Sequence, residues 1–165
     1  MATANLSEYD KSKVPSAETF KFGIVVAQWN EQVTDGLLQG CLEGLLENGA
    51  SIENIVTKHL PGSYELTLGA QFFCEYTDVD AVICLGSVIQ GETKHFDFVC
   101  EAVAQGIKDV SLKYNKPIVF GVLTDNNIDQ AFARSGGDKG NKGTEAAVTA
   151  IKMVALQKRM INNQV

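Results

Sequence analysis

The stretch GSVIQGETKH, Gly86 to His95, sets two glycines, a threonine and a histidine close together in a short segment. Gly86, Gly91 and Thr93 fall at the spacing of the nucleoside-triphosphate loop G-x-x-x-x-G-K-S/T, but Glu92 stands where that loop carries its lysine. Glycines between a strand and a helix let backbone N–H groups converge on an anion, and the dipole of the following helix favours negative charge there. Without the lysine a triphosphate goes unneutralised, and no acidic strand end completes a metal-nucleotide site. A small monophosphate is the better guest, with a purely structural glycine-rich turn as the competing assignment. His95, beside this loop at a helix start, has the residue type for passing protons, against the alternative of a surface or capping histidine. His59 is expected to be a solvent-facing strand-end residue.

A second group is PGSYE, Pro61 to Glu65, which offers a hydroxyl (Ser63), an aromatic face (Tyr64) and a carboxylate (Glu65) within one turn. That mixture suits a polyhydroxy or heterocyclic ligand. Ser63 as a helix cap, with Glu65 favourable to the dipole, explains the same residues locally. Trp29 and Asn30 follow an apolar run, and Arg134 and Lys142 bring positive charge into the glycine-rich stretch RSGGDKGNKG.

Strands and helices must alternate to hold these groups. KFGIVVAQ is a short β-branched run of the kind that forms a buried parallel strand. It precedes a helix in which Val33, Leu37, Leu38, Cys41, Leu45 and Leu46 share one face, stopped by Asn48-Gly49. The alternation continues with SIENIVTKHL and SYELTLGAQFFCEYT, then VDAVICLGSVI and HFDFVCEAVAQGIKDVSLKYN, then the strand KPIVFGVLT. The short helix NIDQAFARSG has Asn127 and Gln130 at capping-box spacing, and GNKGTEAAVTAIKMVALQKRMI closes the chain. The expected fold is α/β: a three-layer α/β/α sandwich with a four-stranded parallel sheet and flavodoxin-like topology. Ligands in such sheets bind beyond the carboxyl ends of the strands, where all the groups above fall. Residues 1–20 read as an N-terminal tail, 21–161 as one domain and 162–165 as a C-terminal tail.

The chain has 165 residues, a net charge of -6 and no lysine- or arginine-rich run, which speaks against a nucleic-acid or anionic-membrane partner. No apolar stretch nears the ~20 residues of a membrane span, and the polar start is no secretory signal. Cys41, Cys74, Cys84 and Cys100 lack metal-ligand spacing and read as buried free thiols, so a cytoplasmic setting is expected.

Taken together, the blocks WN at 29–30, PGSYE at 61–65, GSVIQGETKHFDFV at 86–99, KPIVFGVLTDNNIDQAFARSG at 116–136 and GNKGTEAAVTAIKM at 140–153 resemble the 6,7-dimethyl-8-ribityllumazine synthase family from about Lys21 to Met160. The resemblance implies a transferase of riboflavin biosynthesis. It condenses 5-amino-6-(D-ribitylamino)uracil with 3,4-dihydroxy-2-butanone 4-phosphate, releasing phosphate and water, with no metal or organic cofactor. By the same resemblance, Glu92 and Thr93 receive the phosphate, and Arg134 of the Q-A-x-x-R motif completes the cradle from a neighbouring subunit. Trp29, with Asn30 beside it in the same WN block, stacks on the pyrimidine, with the neighbour's Phe120 on its other face. Ser63, Tyr64 and Glu65 meet the ribityl chain. Ser87, Val88 and Ile89 fix the uracil edge, His95 transfers protons, and Lys142 is a weaker candidate for charge near the site. Tyr64 stands where the family often has Trp, and Glu92 where it often has a small residue, so the Glu92 side chain is expected to face solvent.

The resemblance also implies a homopentamer, since Phe120 and Arg134 would serve a neighbour's site. The compact 134–143 connection, without insertion, favours an icosahedral 60-mer, and riboflavin synthase is an implied partner. Two other readings fit parts of the sequence. One is a flavodoxin-like module that binds a flavin or small phosphate without turnover, and the other is a shell protein with a vestigial site. His95 and Arg134 together speak for turnover.

Overall fold

The computed structural model describes residues 5–163. Its centre is a parallel sheet of β1 (Phe22–Ala27), β2 (Ile55–Leu60), β3 (Ala81–Ile89) and β4 (Ile118–Asp125) in the order β2-β1-β3-β4. The right-handed crossover preference of parallel strands puts the connecting helices on both faces. These helices are α1 (Glu31–Glu47), α2 (Leu66–Tyr76), α3 (His95–Tyr114), α4 (Ile128–Arg134) and α5 (Lys142–Ile161). The expected α/β sandwich is borne out. β1 and most of β3 are buried on both faces, which is why they read as unbroken apolar runs, whereas β2 and β4 are edges.

The sheet divides the core in two. On one face Ile24, Val26, Ile83 and Leu85 pack against Val33, Leu37, Cys41 and Leu45 of α1 and Ala147, Ile151 and Val154 of α5. On the other, Val25, Val82, Cys84 and Val122 pack against Leu66, Ala70 and Phe73 of α2 and Val103, Ile107 and Val110 of α3. Leu46, counted in the apolar face of α1, is exposed instead. All four cysteines are free; Cys41 and Cys84 are buried, Cys74 and Cys100 half-buried. Burial pushes the thiols up from their ordinary value, which disfavours the thiolate.

A short two-stranded antiparallel ladder, β5 (Ser135–Gly137) with β6 (Gly140–Asn141), joins α4 to α5. The segment ahead of β1 packs onto the body: Ala17 and Phe20 are buried, and the Ala17 N–H donates to the Asn48 carbonyl at 2.8 Å. Residues 1–4 and 164–165 of the expected tails lie outside the described residues. No described helix is long and apolar enough to cross a membrane.

Candidate active site

At the carboxyl end of β1 the chain turns sharply through Asn30, which sits in the left-handed region at φ 61°, a conformation asparagine tolerates better than most residues. Its carbonyl accepts the N–H groups of Val33 and Thr34, and its side-chain Nδ2 donates to the Ser87 carbonyl at 2.9 Å. The end of β1 is thereby tied to the end of β3. Trp29 donates its N–H to the Pro61 carbonyl at 3.3 Å and leaves its ring 73% exposed.

That ring borders a cleft of about 600 Å³ lined by Trp29, Asn30, Gly62, Ser63, Tyr64, Glu65, Ser87, Val88, Ile89, His95, Phe98 and Val99. Tyr64 and Phe98 are also more than 60% exposed, so three aromatic faces surround one hollow. Two hydroxyls lie at its floor. Ser63 and Ser87 are 5% and 2% exposed, and among the described residues neither Oγ has a hydrogen-bond partner. Ser63 does not cap α2: the residue at the cap is Glu65, its side chain makes no capping bond, and Ser63 contributes only its carbonyl to the Leu66 N–H. A buried hydroxyl left unpaired costs about 1–3 kcal/mol, a cost that a ligand bearing polar groups removes on binding.

The loop after β3 leads from this cleft into α3. Among the described residues, no acceptor in the chain takes the N–H of Gly91, Glu92, Thr93 or Lys94, while the Thr93 hydroxyl accepts the His95 N–H at 3.4 Å. Glu92 and Thr93 are exposed, Glu92 with no ion-pair partner among the described residues. Four unsatisfied donors at the N-terminus of a long helix form an anion-attracting rim.

Phe120 and Lys142 are not in this cleft. They line a second hollow of about 370 Å³ along the open edge of β4, with Glu145, Ala146, Thr149 and Met153. Arg134 belongs to that side too: its Nη2 donates to Glu145 Oε1 at 2.6 Å and its Nη1 to the Lys139 carbonyl at 2.7 Å. Lys142 bonds the other Glu145 oxygen at 3.0 Å, so one carboxylate bridges both cations. Burial raises the Glu145 carboxyl, but the Arg134 and Lys142 bonds outweigh it and hold the group below its ordinary value. Asp125, at the end of β4, goes the other way. Burial raises it, Arg134 only partly offsets this, and its Oδ2 has no hydrogen-bond partner among the described residues. Glu145 and Phe98 were not singled out from the sequence, although each had a signal. Glu145 lies three residues after Lys142, and Phe98 three after His95, which puts each pair on one helix face.

Within one subunit, then, the residues singled out from the sequence fall into two groups, on the aromatic cleft and on the β4 edge. Residues 19–158 match the family model described as 6,7-dimethyl-8-ribityllumazine synthase. Proteins of that name from Christiangramia forsetii and Cytophaga hutchinsonii are 56% and 55% identical to this chain, each over 93% of it and over 92% and 96% of their own lengths. One from Parabacteroides distasonis is 53% identical over 93% of this chain and 98% of its own. Similarity of this extent, covering both groups of residues and every element of the sheet, means that the chain belongs to the 6,7-dimethyl-8-ribityllumazine synthase family.

Proposed function

We propose that this chain makes 6,7-dimethyl-8-ribityllumazine from 5-amino-6-(D-ribitylamino)uracil and 3,4-dihydroxy-2-butanone 4-phosphate. One observation carries the reading: the two buried, unpartnered hydroxyls of Ser63 and Ser87 at the floor of an aromatic cleft that also takes in His95. A flat heterocycle with a polyhydroxy arm satisfies both features at once.

The pyrimidine stacks on Trp29, with its polar edge on Ser87, Val88, Ile89 and Asn30 and its ribityl arm along Ser63, Tyr64 and Glu65. The phosphate rests on the free N–H groups around Glu92 and Thr93. The uracil amine attacks the ketone and water leaves to give an imine, phosphate is eliminated, and the resulting enol rearranges. Attack by the ribitylamino nitrogen closes the ring with loss of water. His95 carries protons in imine formation and elimination, a role worth typically 10²–10⁴-fold. Holding two substrates in register supplies much of the rest.

Phe120, Lys142 and Arg134, set on the β4 edge of the same chain, act in this reading on a neighbour's cleft. A ring of five subunits places each edge beside the next cleft, and the short β5–β6 connection, with no insertion, suits closure of twelve such rings into a 60-subunit shell. Riboflavin synthase, which uses the product, is the fitting partner, and the cytoplasm the fitting compartment. Mixing the purified protein with both substrates and following lumazine fluorescence tests the activity; absence of fluorescent product overturns it.

A further inference from the structure

The Arg134 guanidinium has two acceptors, and adjacent residues near the start of the chain hold both of them. The Leu6 N–H donates to the Lys139 carbonyl at 3.1 Å, and the Ser7 hydroxyl donates to Glu145 Oε1 at 3.1 Å. That hydroxyl also lies 2.9 Å from the Asn141 carbonyl, so its one proton is shared between two oxygens. It accepts the Asn141 N–H at 2.6 Å, and the Asn5 carboxamide accepts the Ser7 N–H at 2.9 Å, a turn that aims the hydroxyl. Gly140, at φ 88°, lies beneath; a Cβ there would come 2.5 Å from Ser7 Oγ and would collide with Asn5. Only glycine accepts both that backbone angle and that close approach.

A segment that merely covered the surface would have no reason to share both atoms that orient one arginine. We propose that Ser7 is a positioning residue: it fixes Glu145, and through it Arg134, in the orientation that meets the substrate phosphate. The inference rests on the assignment of Arg134 to that phosphate. Ser7 is neutral, so its contribution is geometric. With the hydroxyl bond gone, the carboxylate can change rotamer and Arg134 follows it, so the cradle must be ordered anew at each binding event.

The test is steady-state kinetics on the full chain with Ser7→Ala, Ser7→Thr, Arg134→Ala and the Ser7→Ala/Arg134→Ala double variant. Ser7→Ala is expected to raise KM for the butanone phosphate about three- to tenfold, leaving kcat and the KM of the uracil within about twofold, and Ser7→Thr is expected to restore it. In the Arg134→Ala background Ser7→Ala should add nothing, because the group it orients is gone. Ser7→Cys, which keeps the volume and weakens the bond, should shift the same KM in the same direction. Equal changes in both KM values, or full additivity in the double variant, would overturn the proposal and leave a structural strap. A silent Ser7→Ala beside a selective Arg134→Ala defeats the positioning role alone. An unselective Arg134→Ala removes the phosphate assignment and this inference with it.

Discussion

His95, Phe98 and Val99 occupy one face of α3 at steps of three and four, so the imidazole enters the cleft beside an aromatic wall. Its bond to the Thr93 hydroxyl is through the backbone, and the ring has no hydrogen-bond partner among the described residues. Replacing His95 with alanine should slow turnover by roughly ten- to a thousandfold with little change in either KM, measured by steady-state lumazine formation. A loss confined to KM would make it a binding group. Asp125 offers a test with the opposite character. Its carboxyl is raised by burial, so the ionised form is penalised in the folded state at neutral pH and the penalty vanishes below the ordinary value of 3.8. Asp125→Asn should therefore raise the thermal midpoint at pH 7, with the gain fading as pH falls through the raised folded value and gone below 3.8. A gain that persists in acid would point to packing instead of charge.

At the scale of elements, the α1–α5 contact holds the cationic cluster in place. Asn141 caps α5 by accepting the Gly143 N–H at 2.8 Å, and its Nδ2 crosses to the Gly36 carbonyl of α1 at 2.8 Å. Asn141→Ala loses the cap and the crossing together and should cost about 1–2 kcal/mol in denaturant unfolding. A change below about 0.5 kcal/mol would show that water replaces both bonds. The main elements were legible because their patterns are strong: β1 and β3 are unbroken apolar runs, and α1 keeps Val33, Leu37, Cys41 and Leu45 on one buried face. The Asn127 cap was legible too, with its Oδ1 accepting the Gln130 N–H at 3.0 Å. The β5–β6 ladder was not, since a glycine-rich polar segment carries no periodicity and its pairing depends on where α4 and α5 lie. The aromatic cleft could be read from residue types at strand ends. Its separation from Phe120 followed only from the family resemblance, and that from Lys142 was not legible, because spacing along the chain does not say on which side of β4 a residue lies.

For the whole molecule, the decisive quantity is size. Two separate groups of candidate site residues on one chain, an open β4 edge and exposed Leu112, Met153, Leu156 and Met160 beside it are what a subunit of a closed ring would present. Sedimentation at neutral pH should give a particle of about 60 times the 17.8 kDa chain mass. A species of about five chain masses would leave the ring and remove the shell, and a monomer at working concentration would remove the shared site as well.

The Ser7–Asn141 clasp joins residues 134 positions apart and so bears on the order in which the chain matures. Ser7 is made long before its partners on β6 and α5. Closing so long a loop is slow compared with forming local helices. The strap is thus a late event, and the charged cluster reaches its final form only once the Ser7 segment has met β6 and α5.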